Sequence, residues 1–94
     1  MEKSVHTSEY ASLRAAVRRL RDDAGLSQRE LATKLNVAPS WVAKVESGER
    51  RLDVVEFYWL ISACRGDAAA IFSTLCGQFA RRRRSDGAKG ASSP

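Results

Sequence analysis

Cysteine and histidine, the side chains on which most metal and redox sites depend, are scarce in this 94-residue chain. Cys64 and Cys76 stand twelve residues apart among apolar neighbours, and His6 is far from both. This spacing matches no zinc or redox motif, so we predict no bound metal and no cofactor. We expect both thiols to be buried and reduced, because a disulfide would need an oxidising compartment that nothing else in the sequence indicates.

Long apolar runs are also absent. No stretch of about eighteen apolar residues would cross a membrane, and residues 1–10 lack the apolar centre of a secretory signal. The sequence has no phosphate-binding glycine loop and no serine with a plausible histidine partner. A chain this short buries too little surface to build two cores. We therefore expect one cytoplasmic domain that is not an enzyme and does not contact a membrane.

The net charge of +5 is concentrated at the C-terminal end. Residues 81–94 contain five basic side chains and one acidic one, whereas residues 1–80 contain eleven basic and ten acidic. The globular part is nearly neutral, so bulk charge alone does not indicate a nucleic-acid ligand. The segment RRRRSDGAKGASSP has no large apolar side chain and is predicted to be a disordered basic tail. Arg81 to Arg84 either follow a DNA backbone or only keep the C-terminus soluble.

Helical periodicity and end signals predict two helices in the first part of the chain. Apolar residues recur at helical spacing over residues 10–24, and Gly25 suits a left-handed stop. Ser27 and Glu30 then have the spacing of a capping box, which opens a second helix that ends at Asn36.

The stretch VAPSWVAKVESGE predicts a short third helix from Pro39 to about Ser47. Proline is favoured at a first helical position, but Ala38 provides no side-chain cap for the amides that follow. Val42 and Val45 would face the core. The uncapped amides, together with the positive end of the helix dipole, would suit a phosphate oxygen.

Two further helices follow, and both are rich in apolar residues. Asp53 and Glu56 form a second capping box, and the helix after it is apolar almost all the way round. Gly66 and Asp67 begin the fifth helix. One side of these helices should pack on the core, and the other should need a second cover. We assign seven residues jointly to the core and a dimer interface: Tyr58, Trp59, Ile61, Ile71, Phe72, Leu75 and Phe79.

Two short helices joined by the turn at residues 36–38 have the spacing of a helix-turn-helix. The stretch GLSQRELATKLNVAPSWVAKVESGERRLDVVEF resembles the Cro/cI-like regulators, also called the xenobiotic-response-element (XRE) type, and the likeness covers roughly residues 13–63. The resemblance implies an all-α, compact, five-helix, lambda-repressor-like DNA-binding domain. We place this domain at residues 8–80, its helix-turn-helix at about 27–47, and the basic tail at 81–94.

The third helix would enter the DNA major groove, so its outward residues would contact base edges. Trp41 is either exposed for contact with a thymine methyl or sugar, or folded back onto the second helix as part of the core. Lys44 would reach a guanine edge or a nearby phosphate, the alternative being a solvated lysine. The residues predicted to contact bases are Pro39, Ser40, Trp41, Ala43 and Lys44.

The resemblance also implies phosphate contacts at the front of the second helix and in the loop after the third. Ser27 is mainly a cap, and Arg29 faces either a phosphate or solvent. The residues predicted to contact the DNA backbone are Ser27, Gln28, Arg29, Ser47, Arg50 and Arg51. Arg21 and Glu46 occupy positions that the family uses for a partly buried ion pair, so we interpret them as scaffold.

The function that follows is a sequence-specific, double-stranded DNA-binding repressor that acts as a homodimer on a palindromic operator, within the cytoplasm and associated with the nucleoid. A second hypothesis is an antitoxin or partner-binding subunit, whose surplus apolar surface binds another protein and whose DNA binding is autoregulatory. A third is a module for protein interaction alone. The third hypothesis predicts that changes at Trp41 and Lys44 have no effect on any DNA complex.

Overall fold

The computed structural model describes the backbone of residues 7–90 and the side chains of residues 7–83. Over this range the chain forms five α-helices and no β-strand. The all-α, five-helix prediction is thereby confirmed. The helices are α1 (Ser8–Asp23), α2 (Gln28–Leu35), α3 (Pro39–Ser47), α4 (Val54–Ala63) and α5 (Ala68–Gly90).

Local hydrogen bonds set the ends of the first two helices. Thr7 caps α1, because its hydroxyl accepts a hydrogen bond from the Tyr10 amide at 3.1 Å. Ser27 and Glu30 form the predicted capping box, with bonds of 3.0 and 2.8 Å between each side chain and the other residue's amide. Asn36 ends α2 in the left-handed conformation at φ 59°, which lets the chain turn sharply into α3.

The third and fourth helices begin in contrasting ways. Pro39 occupies the first turn of α3, and Ala38 before it makes no side-chain cap and is exposed. Asp53 and Glu56 close a capping box on α4 through bonds of 2.7 and 3.0 Å. Gly48 ends α3 at φ 87°, and a β-carbon there would lie 3.3 Å from the Arg14 side chain. The positive φ favours glycine at this turn, and a larger residue would also have to displace the Arg14 side chain slightly.

The core lies where α2 and α3 pack against α1 and α4, and the first half of α5 closes it. Val42 and Val45 contribute the inner face of α3, as predicted, and Cys64 is buried beside them. The buried cluster consists of Val17, Leu31, Ala32, Val42, Val45, Phe57, Leu60, Ile61, Cys64 and Leu75. In the part of the chain that the structure describes, no helix is long and apolar enough to cross a membrane.

One prediction about burial is wrong, and the joint assignment to the core and a dimer interface is resolved for two residues. Cys64 is buried and free, and burial raises the pKa of its thiol, but Cys76 is exposed on the outer side of α5. Ile61 and Leu75 are each only 2% exposed, so both belong to the core of the single chain and are not available to a second one. The periodicity of α4 and α5 did not separate these residues from their exposed neighbours, because both helices are apolar on more than one side.

Helix α5 extends past residue 81, where we place the start of the basic tail: it continues through Arg81–Arg83 and ends at Gly90. Arginine has a high helix propensity, and α1 supplies polar partners for this extension. The Arg82 Nε donates a 2.6 Å hydrogen bond to the hydroxyl of the buried Ser12. Arg83 lies 4.0 Å from the carboxylate of Glu9. The side chain of Arg84 and residues 91–94, which the same prediction covered, lie outside the described part.

Candidate nucleic-acid interface

The outward face of α3 presents a small exposed strip at the beginning of the helix. Pro39, Ser40 and Lys44 are exposed, and Ala43 is half-buried next to them. The strip contains one cation and no carboxylate. Because Val42 and Val45 anchor the opposite face in the core, the strip is presented on a rigid element and not on a loop.

The front of α3 is electrostatically open to an anion. Ala38 provides no side-chain cap, and Ala38, Pro39 and Ser40 are all exposed, so solvent reaches the positive end of the helix dipole. The Trp41 amide is already bonded to the Ala38 carbonyl at 2.9 Å. An anion approaching this end would meet the remaining dipole and the nearby Lys44.

Trp41 combines the two alternatives that the sequence left open. Its side chain is half-buried and packs against the core, so it is neither fully extended into solvent nor enclosed. The guanidinium carbon of Arg50 lies 5.1 Å from the centroid of the indole ring. This distance is within the range of a cation–π interaction. Arg50 in turn donates hydrogen bonds to both carboxylate oxygens of Glu56, at 3.2 and 3.1 Å.

A buried ionic network fastens α3 to the first two helices. Arg21 donates to the two carboxylate oxygens of Glu46 at 2.6 and 3.0 Å, and to the Leu26 carbonyl at 3.0 Å. The Gln28 amide adds a third donor to Glu46 at 2.9 Å. The side chains of Arg21 and Glu46 are only 11% and 7% exposed. The pair is therefore part of the scaffold that orients the strip.

The protonation states of this network follow from its geometry. Burial alone would raise the pKa of the Glu46 carboxyl, but hydrogen bonds from Arg21 and Gln28 and the positive charge of Arg21 outweigh burial and hold that pKa below its ordinary value. The hydrogen bond to Glu46 raises the pKa of Arg21 in return. Both groups are charged at neutral pH.

Comparison with known proteins identifies the architecture. Residues 12–70, more than half of the chain, match the family model of a helix-turn-helix domain. An XRE-family-like protein from Pseudomonas syringae pv. tomato str. DC3000 is 36% identical, and the match covers 80% of this chain and 92% of that one with a TM-score of 0.73. The chain belongs to the XRE-type helix-turn-helix family. As an XRE-type regulator, it is a DNA-binding transcriptional regulator.

Two further solved structures share the fold of this XRE-type regulator. A mutant of the restriction-modification controller protein C.Esp1396I is 17% identical, with a TM-score of 0.67 over 73% of this chain and 92% of that one. The clp gene regulator ClgR from Corynebacterium glutamicum is 23% identical, with a TM-score of 0.66 over 86% of each chain. At these identities the likeness concerns the fold alone. No curated protein matches the chain.

In this XRE-type regulator, some of the predicted phosphate-contact residues are exposed without an ion pair, and the others already make hydrogen bonds within the protein. Arg29 and Arg51 are exposed, and no ion pair involves either of them among the described residues. Ser27 serves its capping box, and the Ser47 hydroxyl donates to the Lys44 carbonyl at 3.1 Å. The other two residues donate hydrogen bonds to carboxylates of the protein: Gln28 to Glu46, and Arg50 to Glu56.

Sequence reasoning missed the roles of Arg50 and Glu56 beside the strip. The sequence pattern indicates only a capping role for Glu56 and a phosphate contact for Arg50. The sole sequence signal was their spacing of six residues, which has no meaning without the path of the loop between α3 and α4.

Proposed function

We propose that this protein is a sequence-specific repressor that binds double-stranded DNA as a homodimer and inserts α3 into the major groove of each half of a palindromic operator. The observation that carries the proposal is the exposed strip at the open front of α3, which is held rigidly by the core and by the Arg21–Glu46 network. Such a helix presents its first residues to base edges. The contacts proposed for bases are Pro39, Ser40, Trp41, Ala43 and Lys44.

Lys44 and the helix front carry complementary parts of this recognition. Lys44 is exposed and without an ion pair among the described residues, so its ammonium is free for a guanine edge or a phosphate. The uncapped front of α3 favours a phosphate oxygen. Further backbone contacts are proposed at Ser27, Arg29, Ser47 and Arg51. Gln28 supports them indirectly, by holding Glu46 at the end of α3.

The self-association surface is proposed on the outer sides of α4 and α5. Tyr58 and Trp59 are each 57% exposed, and Phe72 is 47% exposed. Large aromatic side chains are favoured at the centres of protein interfaces and are poorly placed in water. Ile71 and Phe79 are half-buried and would lie at the edge of such a surface. Two linked helix-turn-helix units would then read half-sites about 34 Å apart.

Selection of bound sequences from random DNA tests the repressor proposal. The wild-type protein should select a palindrome, and Lys44→Ala should change the selected base or lower affinity for it by about tenfold, since one good base contact is worth roughly 1–3 kcal/mol. Lys34→Ala is the matched control, because Lys34 is an exposed lysine at the end of α2, outside the proposed contacts. Equal effects of the two substitutions, or none from Lys44→Ala, would contradict the proposal. A reporter gene carrying the selected operator then tests repression.

Sedimentation of the free protein tests the dimer. The double substitution Tyr58→Glu with Trp59→Glu should convert a dimer into a monomer that keeps its helix content, because neither side chain belongs to the core. The same variant should still bind a single half-site but lose its added affinity for the palindrome. A wild-type protein that is a monomer at tens of micromolar and also on the operator would contradict the homodimer.

A partner-binding subunit is a second candidate, and a groove between α1 and α5 favours it. The groove encloses about 590 Å³, within the range of ligand sites, and small residues such as Ala15 and Thr74 form much of its lining. Arg19 and Arg81 belong to its lining, and neither has an ion pair among the described side chains. A substitution that fills the groove, Ala15→Leu, should then weaken repression in cells while leaving DNA affinity in vitro unchanged. Unchanged repression would argue against this candidate.

A further inference from the structure

Arg50 is held in place on several sides by the protein itself. Its guanidinium donates two hydrogen bonds to the Glu56 carboxylate at 3.2 and 3.1 Å and a third to the Arg51 carbonyl at 2.8 Å. Its guanidinium carbon lies over the Trp41 ring, 5.1 Å from the ring centroid. The two hydrogen bonds to one carboxylate need the planar guanidinium fork, which lysine does not supply.

A phosphate contact is a poor use of a side chain in this state. To neutralise a DNA phosphate, Arg50 would have to share or leave a carboxylate that is only 19% exposed. If Arg50 left, Glu56 would keep a negative charge close to the approaching DNA with no cation beside it. Arg51, the next residue, is exposed and makes no such pair among the described residues, so it can meet a phosphate at no comparable cost.

The Arg50 side chain instead contacts Trp41 in the first turn of α3. Trp41 lies beside the strip: the guanidinium carbon of Arg50 lies over its ring, and the side chain packs against the core. Glu56 is itself fixed, because its carboxylate also accepts the Asp53 amide at 3.0 Å within the α4 capping box. Glu56, in the first turn of α4, therefore holds Arg50, and Arg50 in turn holds the Trp41 indole.

We propose that Arg50 is a positioning residue, clamped by Glu56, that fixes the orientation of Trp41 and thereby sets the base preference at the position that Trp41 contacts. Arg50 does not neutralise a phosphate. This inference rests on the proposed function, since it specifies how one part of the DNA-reading strip is held.

The salt dependence of DNA binding distinguishes a phosphate contact by Arg50 from a positioning role. Each phosphate contact contributes about 0.9 to the slope of log affinity against log salt concentration. Arg51→Gln should therefore lower the slope by about 0.9 for each copy bound. Arg50→Gln should leave the slope unchanged, and should reduce discrimination at the Trp41 position about fivefold in each half-site, given the usual strength of a cation–π contact. Arg50→Lys keeps the charge but should behave like Arg50→Gln.

The variant Glu56→Gln gives opposite predictions for the two roles. The glutamine oxygen can still accept the Asp53 amide, so the capping box is retained while the clamp on Arg50 loses its charge. Loss of the Glu56 charge near DNA should strengthen binding in either case, so base preference is the readout. A phosphate contact by Arg50 predicts an unchanged base preference, whereas a positioning role predicts a relaxed one.

Fluorescence of the free protein provides a readout that does not depend on DNA. In a Trp59→Phe background Trp41 is the only tryptophan, because the chain has two, and selective excitation of tryptophan reports on it. Arg50→Gln and Arg50→Lys should each shift this emission to longer wavelength and increase quenching by acrylamide, whereas Arg51→Gln should do neither. Helix content and unfolding midpoints of all variants are compared to show that they fold.

The outcomes distinguish this inference from the function on which it rests. If the wild-type protein selects no sequence, the proposed function fails and the inference fails with it. If the wild type is selective but Arg50→Gln lowers the salt slope as Arg51→Gln does, or Arg50→Lys retains full discrimination, only the inference is overturned. An unchanged slope with relaxed discrimination and altered Trp41 emission supports it.

Discussion

Replacing Arg21 by methionine should destabilise the protein by about 3–5 kcal/mol, the usual cost of leaving one partner of a buried ion pair uncompensated. The magnitude follows from the surroundings of Glu46, whose side chain is 7% exposed. Arg21 supplies two of its three side-chain hydrogen bonds, and Gln28 alone would remain to serve the carboxylate. Methionine preserves most of the arginine stem, so lost packing contributes little to the change.

Thermal and urea unfolding, followed by circular dichroism, measure the loss. For a domain of this size each kcal/mol lowers the melting temperature by roughly 4–8 °C, so Arg21→Met should melt at least about 12 °C below the wild type. The double variant Arg21→Met with Glu46→Leu should recover most of the stability, because no charge then remains buried. Two outcomes would refute the interpretation of Arg21 and Glu46 as a buried, mutually compensating ion pair. One is a loss of less than about 1 kcal/mol in the single variant, and the other is a double variant as unstable as the sum of the singles.

Three other outcomes are expected. The pKa of Glu46 is lowered in the folded state, so its charge contributes fully to the free energy of unfolding above the unfolded pKa of about 4.3, and this contribution is lost as pH falls through the folded value. In Glu46→Gln the free energy of unfolding should therefore depend less steeply on pH in the acid range. Tyr10→Phe removes the acceptor of the Leu52 amide, a 2.7 Å bond, and should cost about 1–3 kcal/mol in urea unfolding, whereas Tyr58→Phe, at an exposed position, should cost nothing measurable. Asn36→Ala should lower the urea midpoint by an amount equivalent to about 1 kcal/mol, whereas Asn36→Gly should not, because φ is 59° at this position.

The parts of the fold that could be predicted from the sequence are those whose causes are local. A capping box spans three residues, so Ser27 with Glu30 and Asp53 with Glu56 identify their helices without any knowledge of the fold. The same is true of the proline that begins α3. The pairing of Arg21 with Glu46 spans 25 residues and came only from the resemblance to the Cro/cI-like regulators.

The parts that could not be predicted depend on where distant segments meet. Gln28 and Arg50 are polar residues in a plausible DNA-facing position, and only the folded chain shows that carboxylates of the protein already occupy their donors. In α4 and α5, periodicity indicates helices but does not show which of several apolar sides faces the core. Leu75 and Phe72 illustrate this, since they lie three residues apart and are 2% and 47% exposed.

The contact between Arg82 of α5 and Ser12 of α1, here called the seam, affects how the protein should be shortened for experiments. Composition suggests trimming after Ala80, yet this cut would remove the arginine whose Nε lies 2.6 Å from the Ser12 hydroxyl. Ser12 is only 6% exposed with α5 in place, so the cut would both remove this donor and uncover the hydroxyl. A trimmed form that ends beyond Arg83 keeps the seam, and one that ends at Ala80 should show weaker protection of the first turns of α1 from hydrogen exchange.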